Sequence, residues 1–387
     1  MIKIYLKPDL KPSFHPWIFA PQIERIEGDA FKGIPCEVFY QGRFWGVGYY
    51  NPRTYIAVRL ISRKKIDWTK EAFLERRLKM AAERRKYLMP AHTNMFRLVN
   101  SEGDGLPGLI VDKYDKILVI QCLTAGIDRM REKIVALLQK IFQPVSIYER
   151  SDSRTRITEG LSFRKGVVTG RPLPEVVIGE EYGLKFAIDI QEGHKTGFYL
   201  DQRENRALLG KVARGKSWLN CFAYSGAFGI YALAGGAKAV VNVETSLKAK
   251  ELWQENLRLN QLPAKNTQFI CEDVFSFLKH SRQRFDGLVL DPPAFARRKR
   301  EMAGAKTGYL ELHAKVAKRA KKEAYLFTFS CSQAITKELF SQLVQEGLNK
   351  AGREAIVLQH LYQTSDHPVN LFHPEGEYLK GLFLQLP

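Results

Sequence analysis

Glu244, Asp273, Asp291 and Cys331 are the residues whose types and positions could do chemistry. Each lies at or just beyond an apolar run of strand length. Ala239–Val243 leads into Glu244, Thr267–Cys271 into Glu272-Asp273, Gly287–Leu290 into Asp291-Pro292-Pro293-Ala294-Phe295, and Tyr325–Phe329 into Ser330-Cys331-Ser332. A carboxylate accepts two hydrogen bonds from a vicinal diol, so a Glu at a strand end suits a ribose. The stretch Ser217–Glu244 fits a nucleoside-containing ligand, and fits as well a structural strand–helix–strand unit with a chance Glu at its edge. Asp291, in a turn stiffened by Pro292 and Pro293, can present a polar group to a ligand or cap the helix that follows. A thiolate is a strong nucleophile, yet a cysteine taken alone is most often a small buried hydrophobe. Ligands of open α/β sheets bind beyond the carboxyl ends of the strands, so polar groups at four successive strand ends point to one site.

The elements that must position these residues follow from periodicity. Ser217–Asn220, Ala239–Val243, Thr267–Cys271, Gly287–Leu290, Tyr325–Phe329, Ala355–Gln359 and Leu382–Leu386 read as seven strands with helices in most gaps, for example Lys248 to Asn260. The last two strands form a hairpin around the turn His373-Pro374-Glu375-Gly376. The first strand ends at Asn220 and feeds the loop Phe222–Phe228, where Tyr224, Ser225 and Gly226 pass close to a bound ligand. That loop has glycines only at Gly226 and Gly229. A dinucleotide pyrophosphate wants a G-x-G-x-x-G turn. The departure favours a ligand without phosphate, such as a sulfonium methyl donor, over a nicotinamide dinucleotide. Cys221 sits in the same loop region and reads as packing.

The chain has 387 residues, enough for two or three domains, with 45% hydrophobic and 26% charged content. Its net charge of +19 argues for a polyanionic partner, and no apolar run reaches transmembrane length, so nucleic acid is favoured over membrane. The five cysteines form no CxxC pair, which argues against a disulfide framework or a bound metal and fits a reducing, cytoplasmic setting. The first residues show no secretion signal.

Residues 1 to about 70 read as short strands, Ile2–Leu6, Ile34–Tyr40, Gly42–Tyr50 and Thr54–Ile61, forming a small barrel. Aromatic residues are interleaved there with Arg43, Arg53, Arg59 and Arg63-Lys64-Lys65, a mixture that suits RNA, although most of the rings must fill the barrel. Thr69–Tyr87 is a charged connecting helix with apolar Phe73, Leu74, Leu78 and Ala81. Strands Phe96–Asn100, Leu109–Asp112 and Ile117–Leu123, a tight turn at Glu102–Gly108 and a helix at Ile127–Phe142 make a central α+β block.

His15-Pro16-Trp17-Ile18-Phe19 and Gly46-Val47-Gly48-Tyr49-Tyr50-Asn51-Pro52 resemble the PUA domain that opens a family of class I S-adenosyl-L-methionine-dependent ribosomal RNA methyltransferases. The segment NSEGDGLPGLIVDKY resembles that family's central domain, and HKTGFYLDQRENR resembles the segment before its cofactor fold. The resemblance implies three domains, 1–70, 71–190 and 191–387. The last is a Rossmann-like α/β domain with a seven-stranded, mostly parallel sheet. It implies S-adenosyl-L-methionine as cofactor, with Lys195, Phe198, Asp201 and Gln202 over the cofactor mouth; a plain cap, Asp201 heading a helix through Arg206, explains Asp201 as well. It implies that Asp273 accepts from the adenine amino group, beside Glu244 on the ribose. Ser330-Cys331-Ser332 resembles the motif carrying the nucleophile of RNA 5-methylcytosine enzymes, so Cys331 is expected as nucleophile and Asp291 as the group holding the base. Phe295 would stack on a flipped base, and Arg297 and Arg298, in a basic run, would contact phosphate. The partner implied is large-subunit ribosomal RNA, and a homodimer is compatible with this reading. Methylation of a guanine nitrogen, which needs no thiol, and a non-catalytic RNA-binding protein with a degenerate domain are the alternatives.

Overall fold

The computed structural model describes residues 1–11, 13–295 and 301–387. Contacts group them into two compact units. The first comprises Met1–Glu180, Ile188–Leu200 and Ser365–Gly376; the second comprises Glu181–Ala187, Asp201–Thr364 and Glu377–Pro387.

In the first unit, β1 (Ile2–Leu6), β2 (Trp17–Phe19), β3 (Ile23–Glu27), β4 (Ile34–Tyr40), β5 (Arg43–Tyr50) and β6 (Ile56–Ser62) form one six-stranded sheet, ordered β2-β6-β5-β4-β1-β3. Alternation drives it: Ile2, Ile4 and Leu6 bury against Cys36, Val38, Val58 and Leu60. β2 and β3 lie outside the strands expected from sequence. One is three residues long, and the other carries Glu24, Arg25 and Glu27 on a mostly exposed edge. The helix α1 (Glu71–Leu88) buries Phe73, Leu74, Leu78 and Ala81, the apolar positions at helical spacing. A second sheet, ordered β11-β10-β9-β8-β7, is built from β7 (Met95–Asn100), β8 (Leu109–Tyr114), β9 (Ile117–Cys122), β10 (Ser146–Ser151) and β11 (Arg164–Gly170).

The single helix expected over 127–142 is two, α2 (Ala125–Arg129) and α3 (Arg131–Phe142), broken at Met130, whose ψ of 1° leaves the helical range. A short α4 (Arg154–Thr158) follows β10. The strand β10 is buried throughout despite the sequence SIYERS. Its polar groups are partly matched: Arg131 pairs with Glu149 Oε2 at 2.7 Å, leaving Oε1 without a partner, and Ser151 Oγ accepts from Cys122 N at 2.9 Å. The barrel and the central block share one apolar core, in which Val47, Tyr49 and Trp68 pack with Leu74, Leu109, Val111 and Ile120. A two-stranded ribbon, β12 (Val177–Glu181) with β13 (Leu184–Ile188), carries the chain into the second unit.

The second unit alternates helix and strand: α5 (Arg203–Val212), β14 (Ser217–Cys221), α6 (Ala227–Ala234), β15 (Ala239–Glu244), α7 (Leu247–Leu259), β16 (Thr267–Cys271), α8 (Val274–His280), β17 (Phe285–Leu290), α9 (Met302–Ala317), β18 (Ala320–Ser330), α10 (Lys337–Lys350), β19 (Ile356–Tyr362) and β20 (Lys380–Leu386). The sheet order is β16-β15-β14-β17-β18-β20-β19. Five strands are parallel, and β20 runs antiparallel to both β18 and β19. All seven expected strands are present. The expected late hairpin is present, since β19 and β20 pair antiparallel, but its connection is long: Ser365–Gly376 belongs to the first unit, with a local turn at Pro374–Gly376. Buried polar groups anchor the excursion. Asp366 Oδ2 accepts from Arg97 N, and Arg85 donates to the Asp366 carbonyl, each at 2.8 Å.

Candidate active site

The strand order reverses between β14 and β17, so a crevice is expected at the carboxyl ends of these two strands. β14 and β15 pair in register, with Asn220 opposite Asn242, and Asn220 Nδ2 donates to Asn242 Oδ1 at 2.9 Å. That bond ties the two strands just before their functional ends. The loop 222–226 then turns sharply: Phe222, Tyr224 and Gly226 have φ of 58°, 45° and 70°. Left-handed backbone at non-glycine residues costs roughly 1–2 kcal/mol each and clusters at ligand-binding turns.

The loop is held by Glu244. Its Oε2 accepts from Tyr224 N at 3.1 Å, while Oε1 accepts from Thr245 N at 2.7 Å and Ser246 N at 3.2 Å. The Ser225 hydroxyl is buried and has no hydrogen-bond partner, although the Ser225 carbonyl accepts from Asn256 Nδ2 at 2.9 Å. Asp273 is exposed and caps α8, with Oδ1 accepting from Ser276 N at 2.9 Å. Carboxylates at the ends of β15 and β16 would repel a pyrophosphate. They suit hydroxyl and amino donors, so these residues fit the adenosine part of S-adenosylmethionine. Among the described residues there is no cluster of three or more groups able to hold a metal ion, and no helix is long and apolar enough to cross a membrane.

β17 ends at Asp291, where Gln202 Nε2 donates to Asp291 Oδ2 at 3.0 Å. Asn205 orients Gln202 in turn, donating from Nδ2 to Oε1 at 2.6 Å. The expected cap at Asp201 is corrected: α5 begins at Arg203 with Gln202 in the cap position. Asp201 is buried instead, and its Oδ2 accepts from the Tyr378 hydroxyl at 2.6 Å. A buried carboxylate needs such donors more than a helix end needs a cap. Lys195 and Phe198 belong to the first unit, Lys195 exposed over the Tyr199 ring and Phe198 buried. Pro292 is buried and Pro293 exposed. Phe295 is half-buried, its ring 4.8 Å from that of Tyr309. Arg297 and Arg298 lie outside the described residues.

The parallel neighbour β18 ends at Ser330, followed by the partly exposed Cys331. Cys221, in contrast, is fully buried in the apolar core, and burial pushes its thiol pKa well up. Three residues invisible to motif reading support the end of β18 that leads to Cys331. The Tyr309 hydroxyl on α9 donates to Ser330 Oγ at 2.8 Å and lies 3.4 Å from Ser332 Oγ. Burial raises the Tyr309 pKa, and both Cys331 and Asp291 add to it through their charge, so Tyr309 is within electrostatic reach of both. Beneath it, His313 Nε2 lies 2.8 Å from Thr328 Oγ1 on β18. Lys380, opposite Ser330 across the β18–β20 pairing, donates to the carbonyls of Ser332 and Ile335 at 2.7 and 2.8 Å. Burial lowers the Lys380 pKa, and attraction to Cys331 opposes that shift. The one sequence signal for Lys380 was a lysine opening an otherwise apolar strand.

A sheet of this order, with acids at the ends of its first strands and no phosphate-binding glycine turn, defines a class I S-adenosylmethionine-dependent methyltransferase. Residues 163–306 match the family model of an S-adenosylmethionine-dependent methyltransferase, and residues 12–63 match that of a PUA-like domain. A ribosomal RNA large subunit methyltransferase I of Tolumonas auensis is 41% identical, covering 99% of this chain and 98% of its own. That of Aeromonas salmonicida is 43% identical, covering 96% and 95%. The chain belongs to the ribosomal RNA large subunit methyltransferase I family, and its cofactor is S-adenosylmethionine. The fold matches a methyltransferase solved with SAH at a TM-score of 0.85 and 22% identity, over 100% of both chains.

Proposed function

We propose that this protein methylates carbon-5 of a cytosine in large-subunit ribosomal RNA through a covalent adduct with Cys331. The RNA class is carried by the relatives, which are named as large-subunit ribosomal RNA methyltransferases. The observation that carries the chemistry is the accessible Cys331, set at a strand end beside Asp291 with the Lys380 ammonium pinned nearby.

Carbon-5 of cytosine is a poor nucleophile. Attack of the Cys331 thiolate on carbon-6 forms an S–C bond and moves the ring π electrons so that carbon-5 becomes enamine-like. Bound S-adenosylmethionine supplies the electrophilic methyl group that carbon-5 then takes. Loss of the carbon-5 proton to a base restores the C5–C6 double bond as the C–S bond breaks, and the thiolate departs with that electron pair. Asp291, oriented by Gln202, hydrogen-bonds the base near its ring nitrogen and stabilises the adduct. Lys380 stabilises negative charge on the thiol sulfur before attack and after release.

Cys331→Ala tests this directly. Methyl incorporation into ribosomal RNA is expected to fall by about 10³-fold or more, while calorimetry still shows S-adenosylmethionine binding. Undiminished transfer by the variant, or methyl groups found on a guanine nitrogen by nucleoside mass analysis, defeats the carbon-5 mechanism.

A further inference from the structure

The first unit contains a cleft of about 540 Å³ lined by none of the residues assigned to methyl transfer. It lies between the end of β6, the flank of α1 and the excursion Ser365–Gly376. Two phenylalanine rings at its edge are unusually open. Phe14 is 59% and Phe372 50% exposed, with centroids 5.2 Å apart and planes tilted by 48°. Four cations line it: Arg63, Lys64, Arg76 and Arg77.

Among the described residues, none of these four cations is within ion-pair distance of a carboxylate. Elsewhere on α1, by contrast, Lys79 pairs with Glu75, and Arg84 and Arg85 with Asp104. Arg77 Nε is buried without a hydrogen-bond partner. Burial lowers the Arg77 pKa, repulsion from Arg76 and Arg84 lowers it further, and attraction to Asp104 offsets part of the shift. Burial also brings the Arg63 pKa down to about 10. Part of Arg63 is structural, since Nη2 donates to the carbonyls of Ser13 and His15 at 3.0 and 3.1 Å and so fixes the segment carrying Phe14. Arg76 and Arg77 lie over the Phe73 ring, at 5.8 and 5.2 Å from its centroid. The polar contact of Arg77 to Ile61 O is long, at 3.5 Å. Concentrated, partly desolvated positive charge without anions is unfavourable unless an anion completes it. Open aromatic rings next to such charge match a nucleotide, whose base stacks while its phosphate meets guanidinium groups.

We propose that this cleft binds single-stranded RNA, with a base against Phe14 and Phe372 and the adjoining phosphates on Lys64, Arg76 and Arg77. The proposal rests on RNA being the substrate class but not on the carbon-5 mechanism, so Cys331→Ala is expected to bind through the cleft like the parent protein.

The test is fluorescence anisotropy of the full chain with a labelled 12-nucleotide single-stranded RNA, in a salt series. Phe14→Ala with Phe372→Ala is expected to weaken binding by roughly fivefold or more, leaving the salt slope unchanged. Arg76→Gln with Arg77→Gln is expected to weaken it at low salt and make the log–log salt slope shallower by about 0.7 for each phosphate no longer neutralised. Melting temperature and S-adenosylmethionine binding, measured on the same variants, establish that they are folded. Unchanged RNA affinity in folded variants overturns the proposal and leaves the cleft to another partner. An equally large weakening on duplex RNA also overturns it, because that is bulk charge rather than a site for an unstacked base.

Discussion

His313 shows how a residue outside the motifs can contribute to the acid stability of the fold. Its Nδ1 lies 2.7 Å from the Tyr309 carbonyl, which can only accept, so Nδ1 carries the proton and Nε2 accepts from the Thr328 hydroxyl. Complete burial lowers its pKa to about 4. The unfolded chain, with a histidine pKa near 6.5, takes up that proton first as pH falls. The stability contributed by neutral His313 is therefore intact above about pH 6.5 and lost as pH falls toward 4, by roughly 3 kcal/mol in total. Urea unfolding at several pH values is expected to show this decline, and His313→Gln to flatten it. An unchanged slope in the variant would show that other groups control acid stability. Neither His313 nor Tyr309 was legible as part of the site. Nothing in the local pattern of α9 distinguishes a histidine that supports a catalytic strand from one that merely fills a helix.

At the scale of elements, the loop and helix after β14 combine backbone and packing constraints. Gly226 occupies the left-handed region, and a Cβ there would stand 2.5 Å from Cδ1 of Trp253 on α7. Gly226→Ala therefore adds backbone strain of about 1 kcal/mol or more to a contact that must move. A drop in S-adenosylmethionine affinity of about tenfold or greater is expected by calorimetry, equivalent to ~1.4 kcal/mol. Affinity within twofold of the parent would mean that this loop does not shape the cofactor site. The parallel strands were legible because their apolar runs are bounded by turn residues. β10 was not, since its Glu149 and Ser151 are buried only by virtue of partners on α3 and β9. The excursion between β19 and β20 was hidden for the same reason, because Asp366 finds its donors on β7 and α1.

At the scale of the molecule, the barrel and central block share one apolar core. A Cβ added at Gly126 on α2 would come within 2.1 Å of the Tyr49 ring. The Tyr49 hydroxyl reaches on to Pro107 O at 2.7 Å and Thr124 Oγ1 at 2.9 Å. Gly126→Val is expected to destabilise the first unit by about 1–3 kcal/mol through overpacking, read as a lower melting transition. An unaltered melting curve would show that the two blocks are only loosely joined. The net charge of +19 and the apolar strand runs depend on composition and on near neighbours in the chain, and both were readable from the residues. That Glu244, Asp273, Asp291 and Cys331 stand at strand ends was readable for the same reason. Their surroundings were not. Lys380 reaches the Ser332 carbonyl because β20 inserts beside β18, Gln202 meets Asp291 from a helix start far upstream, and Phe372 meets Phe14 across most of the chain. Each pairing satisfies a buried charge, a hydrogen bond or a ring contact with a partner remote in sequence. Local periodicity reports which face of an element is buried, but only the folded chain selects what that face is buried against.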